Sequence, residues 1–210
     1  MDAREQRQVT VRLPDGASRT LPRGSTAGDL AVSLGREIAR AAIAAVVDGS
    51  QVDLDAPLPD GAAVELVTDG SPAGRSVLRH STAHVLAQAV LDLWPGAHFA
   101  IGPPIEDGFY YDFELPAGGR FSEEDLGRIE ERMRAIVAEG QPFRREEHSV
   151  AQGLDLFADQ PFKREIIEGV AEGGPGAGEL ASEAPSAAAV STYRNGPSFV
   201  DLCRGPHVSS

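Results

Sequence analysis

At 210 residues the chain is long for one compact domain and comfortable for two, and its 41% hydrophobic content is enough to build real cores. A net charge of −13 excludes a general nucleic-acid glue, whose phosphate contacts need a basic surface; only a local patch could touch RNA, with Arg75/Arg79 and Arg144/Arg145 as candidates against ordinary solvated arginines. The single cysteine excludes an internal disulfide and fits a reducing cytoplasm, no apolar run approaches the ~20 residues of a membrane span, and the N-terminus does not read as a signal peptide.

Residues 1–68 read as a small α+β unit. Val9 to Leu13 alternates as a strand, Pro14-Asp-Gly16 is turn chemistry, and Ser18 to Leu21 returns as a hairpin. Ser25 is the expected cap of a helix over Thr26–Leu34 stopped by Gly35, and a short helix follows at Arg36–Ala41. Further strands are expected at 43–47, 51–54 and 64–67. Hairpin, helix and strands in about 65 residues suggest a ubiquitin-like β-grasp module, and with no His, Cys or Lys it carries no candidate catalytic group.

Residues 69–74 are rich in Gly, Ser and Pro and read as a linker, so the second unit is expected over 75–210. Ser76 to Leu93 has a helical pattern that places His80 and His84 one turn apart on one face. Residues 100–113 read as a Gly/Pro loop running into an aromatic strand. Ser122, with Asp125 as its reciprocal partner, should cap an amphipathic helix whose buried stripe is Leu126, Ile129, Met133, Ile136 and Val137, stopped by Gly140. A strand at 143–148, a helix capped by Ser149 and running to Phe157, and a short helix over 161–168 follow. Residues 173–190 are low-complexity and read as a mobile loop. A closing hairpin, 191–194 with 198–201, would deliver Asp201, Cys203 and His207.

Two motifs concentrate the scarce chemistry. His80-Ser-Thr-Ala-His84 and Cys203-Arg-Gly-Pro-His207 hold the lone Cys and three of five His. Their types and number suit a tetrahedral zinc site, and they suit a metal-free hydrolytic pocket equally well. The motif is not that of zinc proteases, because Ser81 follows His80 where a Glu would be needed. Among 18 arginines stands one lysine, Lys163. Lysine is a compact point donor that arginine cannot replace, so the position is a candidate for function against a stray surface lysine.

Three segments in order carry a resemblance: His80-Ser-Thr-Ala-His84, Ile101-Gly-Pro-Pro-Ile-Glu-Asp-Gly-Phe-Tyr-Tyr-Asp112 and Phe199-Val-Asp-Leu-Cys-Arg-Gly-Pro-His-Val208. Together they resemble the N-terminal editing region of bacterial threonyl-tRNA synthetases, and residues 8–68 look like the β-grasp TGS module that precedes it. The fold implied is α+β: a ubiquitin-like module followed by an editing domain of the threonyl/alanyl type. The activity implied is hydrolysis of the ester joining mischarged serine to the 3′ end of threonine tRNA, with no DNA or membrane partner. Carried over by motif, His80 would position water or move a proton, Lys163 would hold the water or the developing charge, Asp201 would meet the substrate's α-ammonium, and Cys203 and His207 would line the pocket. His84 and Tyr111 are further substrate contacts. A pocket-lining thiol is preferred to an acyl-forming Cys203.

In the threonyl branch the resemblance implies a pocket without metal; in the alanyl branch the same four residues, His80, His84, Cys203 and His207, would bind zinc. A non-catalytic RNA-binding module is the third reading. The family's aminoacylation core, with its ATP site, its own zinc and its homodimer contact, would follow Ser210, so the expectation is a synthetase fragment or a free-standing editing factor that cannot itself charge tRNA.

Overall fold

The computed structural model of the chain describes residues 8–171 and 189–210. Their contacts divide into two compact units, one running to Leu78 with Gly205–Ser209, the other Arg79–Arg204 with Ser210.

In the first unit, β1 (Gln8–Arg12) and β2 (Ser18–Pro22) form an antiparallel hairpin with Val9 opposite Leu21. The alternation of β1 turns Val9 and Val11 inward. Gly16 closes the turn at φ 83°, where a side chain would be strained. Helix α1 (Ala27–Leu34) is capped by Thr26 rather than the expected Ser25. Thr26 Oγ1 accepts from the Asp29 amide at 3.2 Å, and Asp29 Oδ2 accepts from the Thr26 amide at 2.9 Å. A reciprocal box needs an acceptor three residues on, and from Ser25 that position is Gly28.

Helix α2 (Arg36–Ala41) leads into β3 (Ala42–Val47), the centre of a β4-β3-β5 sheet with β4 (Ser50–Val52) and β5 (Val64–Thr68). A parallel bridge between Arg12 and Ala63 joins the hairpin to this sheet. Val9, Val11, Leu21, Leu30, Ala45 and Val64 form the core. A groove of about 550 Å³ bordered by Arg12, Leu13, Pro14, Val46, Val64 and Glu65 lies in this unit.

Helix α3 (Pro72–Leu93) begins inside the stretch expected as a linker. Ser71 Oγ accepts from the Gly74 amide at 3.0 Å, so Ser-Pro here is an N-cap followed by a first helical proline, not a turn. Gly74 is required because a Cβ would collide with the Thr68 carbonyl.

In the second unit, β6 (His98–Phe99) pairs with β9 (Phe113–Glu114), and β7 (Pro104–Ile105) with β8 (Gly108–Phe109). The aromatic run is therefore not one strand: Tyr110 and Tyr111 lie between paired segments. Helix α4 (Glu123–Ala138) has the expected cap, Asp125 Oδ2 accepting from the Ser122 amide at 2.9 Å and its hydroxyl at 2.7 Å. Those hydrogen bonds hold the Asp125 pKa below its ordinary value.

The stripe is narrower than expected. Ile129 and Ile136 are buried and Met133 packs beside them, but Leu126 and Val137, on its flank, are 62% and 67% exposed.

Strand β10 (Phe143–His148), helix α5 (Val150–Leu156) and helix α6 (Pro161–Ala171) follow. Ser149 and Gln152 form the reciprocal cap of α5. Of the expected loop over 173–190, residues 173–188 lie outside the described residues, and Val190 is a correction. It opens β11 (Val190–Asn195) and is fully buried, because its branched side chain packs with Phe157, Ile167 and Leu202. β11 is the centre of a sheet with β10 and β12 (Phe199–Leu202). No described helix is long and apolar enough to cross a membrane.

Thr26→Ala is expected to destabilise the chain by about 1 kcal/mol in denaturant unfolding, and Ser25→Ala by less. The reverse order would return the cap to Ser25.

Candidate active site

The candidate site is built where α3, α6 and the β11–β12 hairpin meet within the second unit. His80 and His84 project from one face of α3, their rings edge to face with centroids 5.1 Å apart. Cys203 directly follows β12. Its amide donates to the Ser191 carbonyl at 3.1 Å, and Ser191 Oγ donates to the Cys203 carbonyl at 2.7 Å, so the hairpin ladder fixes the cysteine backbone. Cys203 Sγ lies 3.2 Å from His80 Nε2, and ligand atoms of His80, His84 and Cys203 lie within 4.8 Å of one another.

Below this trio is a buried ion pair. Lys163, in the first turn of α6, and Asp201, on β12, have side chains 0% and 2% exposed, with Nζ 2.5 Å from Oδ1. That oxygen accepts no directed hydrogen bond, so the ammonium charge itself compensates it. Tyr111 donates its hydroxyl to Asp201 Oδ2 at 2.5 Å and accepts from Lys163 Nζ at 3.2 Å. Nζ also stands 4.5 Å from the centre of the Phe99 ring, within cation–π range. Full burial excludes the reading of Lys163 as a stray surface residue.

His84 Nε2 is 3.4 Å from Asp201 Oδ2, and Phe143 and Phe199 meet the ring edge to face. Burial, and then the charges of His80 and Lys163, hold the His84 pKa well below 6.5. The ring is therefore neutral at neutral pH, and its contact with Asp201 is a polar one, not a second ion pair.

His207 is buried, and its amide donates to Asp53 Oδ1 at 2.8 Å within the first unit. The expected arginine patches are largely engaged with protein. Arg75 donates to the Gly70 carbonyl at 2.8 Å, Arg79 to the Ile105 carbonyl at 3.3 Å, and Arg145 pairs with Glu147 at 2.6 Å.

Three contributors escaped the sequence reading: Phe99, Gly102 and Gln160. Phe99 lies in a two-residue strand too short for a periodic signal. Gly102 read as ordinary loop glycine, yet a Cβ there would collide with the Tyr111 ring.

Residues 9–68 match the TGS domain family. Beyond it, the chain is 48% identical over 202 residues to a threonine–tRNA ligase of Rubrobacter xylanophilus, 44% identical over 203 residues to that of a Geobacter species, and 41% identical over 209 residues to that of Chlorobium phaeovibrioides. The chain is similar to the N-terminal region of threonyl-tRNA synthetases. The alignments cover 96–98% of the chain but only 29% of each relative. The TGS match agrees with the β-grasp expected for the first unit, and mixed helices and strands with the α+β class.

Gly102→Ala should cost about 1–3 kcal/mol in denaturant unfolding, as overpacking does, because it displaces the Tyr111 ring. Gly127→Ala, on α4 where a Cβ meets nothing, is the control and should stabilise by about 1 kcal/mol. Equal effects at the two positions would remove the packing argument.

Proposed function

We propose that the chain binds the 3′ acceptor end of threonine tRNA and hydrolyses the ester of mischarged serine, as the editing part of a threonine–tRNA ligase. The observation that carries this is the buried Lys163–Asp201–Tyr111 cluster beside His80 and Cys203. The similarity of nearly the whole chain to threonine–tRNA ligases supplies the substrate class. Selection against serine demands such a site: a pocket that accepts threonine loses only about 1–3 kcal/mol of discrimination for one absent methyl group, so a second hydrolytic site is the physical remedy.

Hydrolysis needs an oriented water, a stabilised oxyanion and a proton for the leaving ribose oxygen. His80, the most exposed of the buried site residues at 8%, is the candidate to take the proton from the attacking water and return it to the leaving ribose oxygen. Lys163 Nζ is the point donor for charge developing on the carbonyl oxygen. Asp201 is the candidate partner of the substrate's α-ammonium. Its oxygens already meet Lys163 and Tyr111, so substrate binding there exchanges with those contacts. Cys203 lines the wall against His80, and His207 is carried over as a pocket residue by its motif alone.

A zinc-bound site is the second reading, favoured by three donors within 4.8 Å. His80, His84, Cys203 and His207 would hold the ion, which would polarise a bound water. The donor set fits zinc in kind. Metal-independent chemistry is the first reading because the segment around Asp201 and Cys203 resembles the threonyl branch, whose pocket works without metal.

Deacylation of serine-charged threonine tRNA is expected to survive a strong chelator; loss on chelation and recovery with zinc would establish the second reading. Lys163→Met, close in length and without charge, should lower the single-turnover rate by about 10²–10³. It should also cost about 3–5 kcal/mol of stability, because Asp201 is left as an uncompensated buried charge. A wild-type rate in the folded Lys163→Met protein would remove the lysine from the mechanism.

A further inference from the structure

Gln160 stands at the entrance to α6. Its carbonyl accepts the Arg164 amide at 3.1 Å, the first turn's hydrogen bond, and Pro161 follows as the first helical residue. Its side chain does not cap its own helix. Oε1 accepts from the Phe99 amide and Nε2 donates to the Ala97 carbonyl, both at 3.2 Å.

Those two groups lie on the edge of β6 that is not paired with β9. His98 opposes Glu114, and the Ala100 amide bonds the Asp112 carbonyl, so 98 and 100 face β9 while 97 and 99 face outward. The Gln160 amide fills the place a neighbouring strand would take. The residue it grips, Phe99, puts its ring 4.5 Å from Lys163 Nζ, and Lys163 is three residues from Gln160 in the first turn of α6. Backbone of Phe99, ring of Phe99, Lys163 and Gln160 thus form a closed circuit. Phe162 adds an edge-to-face contact to His98 with centroids 6.4 Å apart.

We propose that Gln160 is a positioning residue that sets where Lys163 stands, by locking the first turn of α6 to the open edge of β6. The inference rests on the reading of Lys163 as the reaction's donor. It adds a residue that touches neither substrate nor the reacting atoms.

Lys163 is the chain's one lysine, so its accessibility can be read directly. Acetylation with an N-hydroxysuccinimide ester, followed by peptide mass spectrometry, separates it from the terminal amine. Gln160→Met keeps the shape and removes both hydrogen bonds. It should raise the acetylation rate of Lys163 about tenfold through easier local opening. Gln160→Glu keeps the acceptor for Phe99 and loses the donor to Ala97, and it should give a smaller rise. If Gln160→Met does not fold, the glutamate variant decides. Unchanged labelling in the variant that folds overturns the proposal.

Single-turnover deacylation supplies the second arm. Gln160→Met should lower the rate about tenfold with Lys163 present, and by less than about twofold in the Lys163→Met background, since residues acting through one another are non-additive. An equal loss in both backgrounds would mean a merely structural role and would overturn the proposal. If the wild-type chain does not hydrolyse the ester, the functional reading fails, while labelling still tests on its own whether Gln160 holds Lys163.

Discussion

A lysine and an aspartate with almost no exposure to solvent constrain everything around them. Removing two charges from water costs several kcal/mol each, and their attraction repays this only when geometry is good and the remaining valences are met. The second unit meets these conditions around Lys163 and Asp201: an ion contact at 2.5 Å, a tyrosine hydroxyl on the second carboxylate oxygen and an aromatic face beside the ammonium. A buried pair is weak evidence for stability in itself, since apolar residues of similar volume often serve as well. Its presence beside two histidines and a cysteine accords with a chemical use.

Burial above all keeps His84 neutral, with the electrostatic influence of His80 and then of Lys163 adding to it, even 3.4 Å from a carboxylate that already has a cation and a hydroxyl. Neutral, the ring can pack against Phe143 and Phe199 and keep the cluster dry. The low dielectric that makes the pair costly also strengthens any electrostatic contact with a substrate there.

Placement comes from three elements far apart in sequence. α3 brings the histidines, α6 the lysine, and the β11–β12 hairpin the aspartate and cysteine. Each is tied by a contact beside the cluster: Gln88 of α3 accepts from Asn195 at 2.7 Å, Gln160 grips β6 at the start of α6, and the Ser191–Cys203 pair fixes the hairpin. The first unit contributes a small β-grasp core built on Val9, Val11, Leu21, Leu30, Ala45 and Val64. Residues 9–68 of it match the TGS domain.

The sequence alone singled out cysteine, lysine and histidine for the candidate site, because scarcity is legible: one cysteine, one lysine and three of five histidines fall in a few short segments of 210 positions. It determined most elements for the same kind of reason, since caps such as Ser122–Asp125 and alternation such as Val9–Val11 are local. It misplaced local boundaries where two rules compete, at Ser25 against Thr26 and at Ser71-Pro72, where one dipeptide serves both turn and cap. It read Leu126 and Val137 as buried because helical periodicity gives a direction and not the width of the face a neighbour covers. The burial of Lys163, the neutrality of His84, the need for Gly102 and the grip of Gln160 on β6 were decided only by tertiary structure. Each is a relation between residues brought together by folding, and desolvation and close approach have no signature in a one-dimensional pattern.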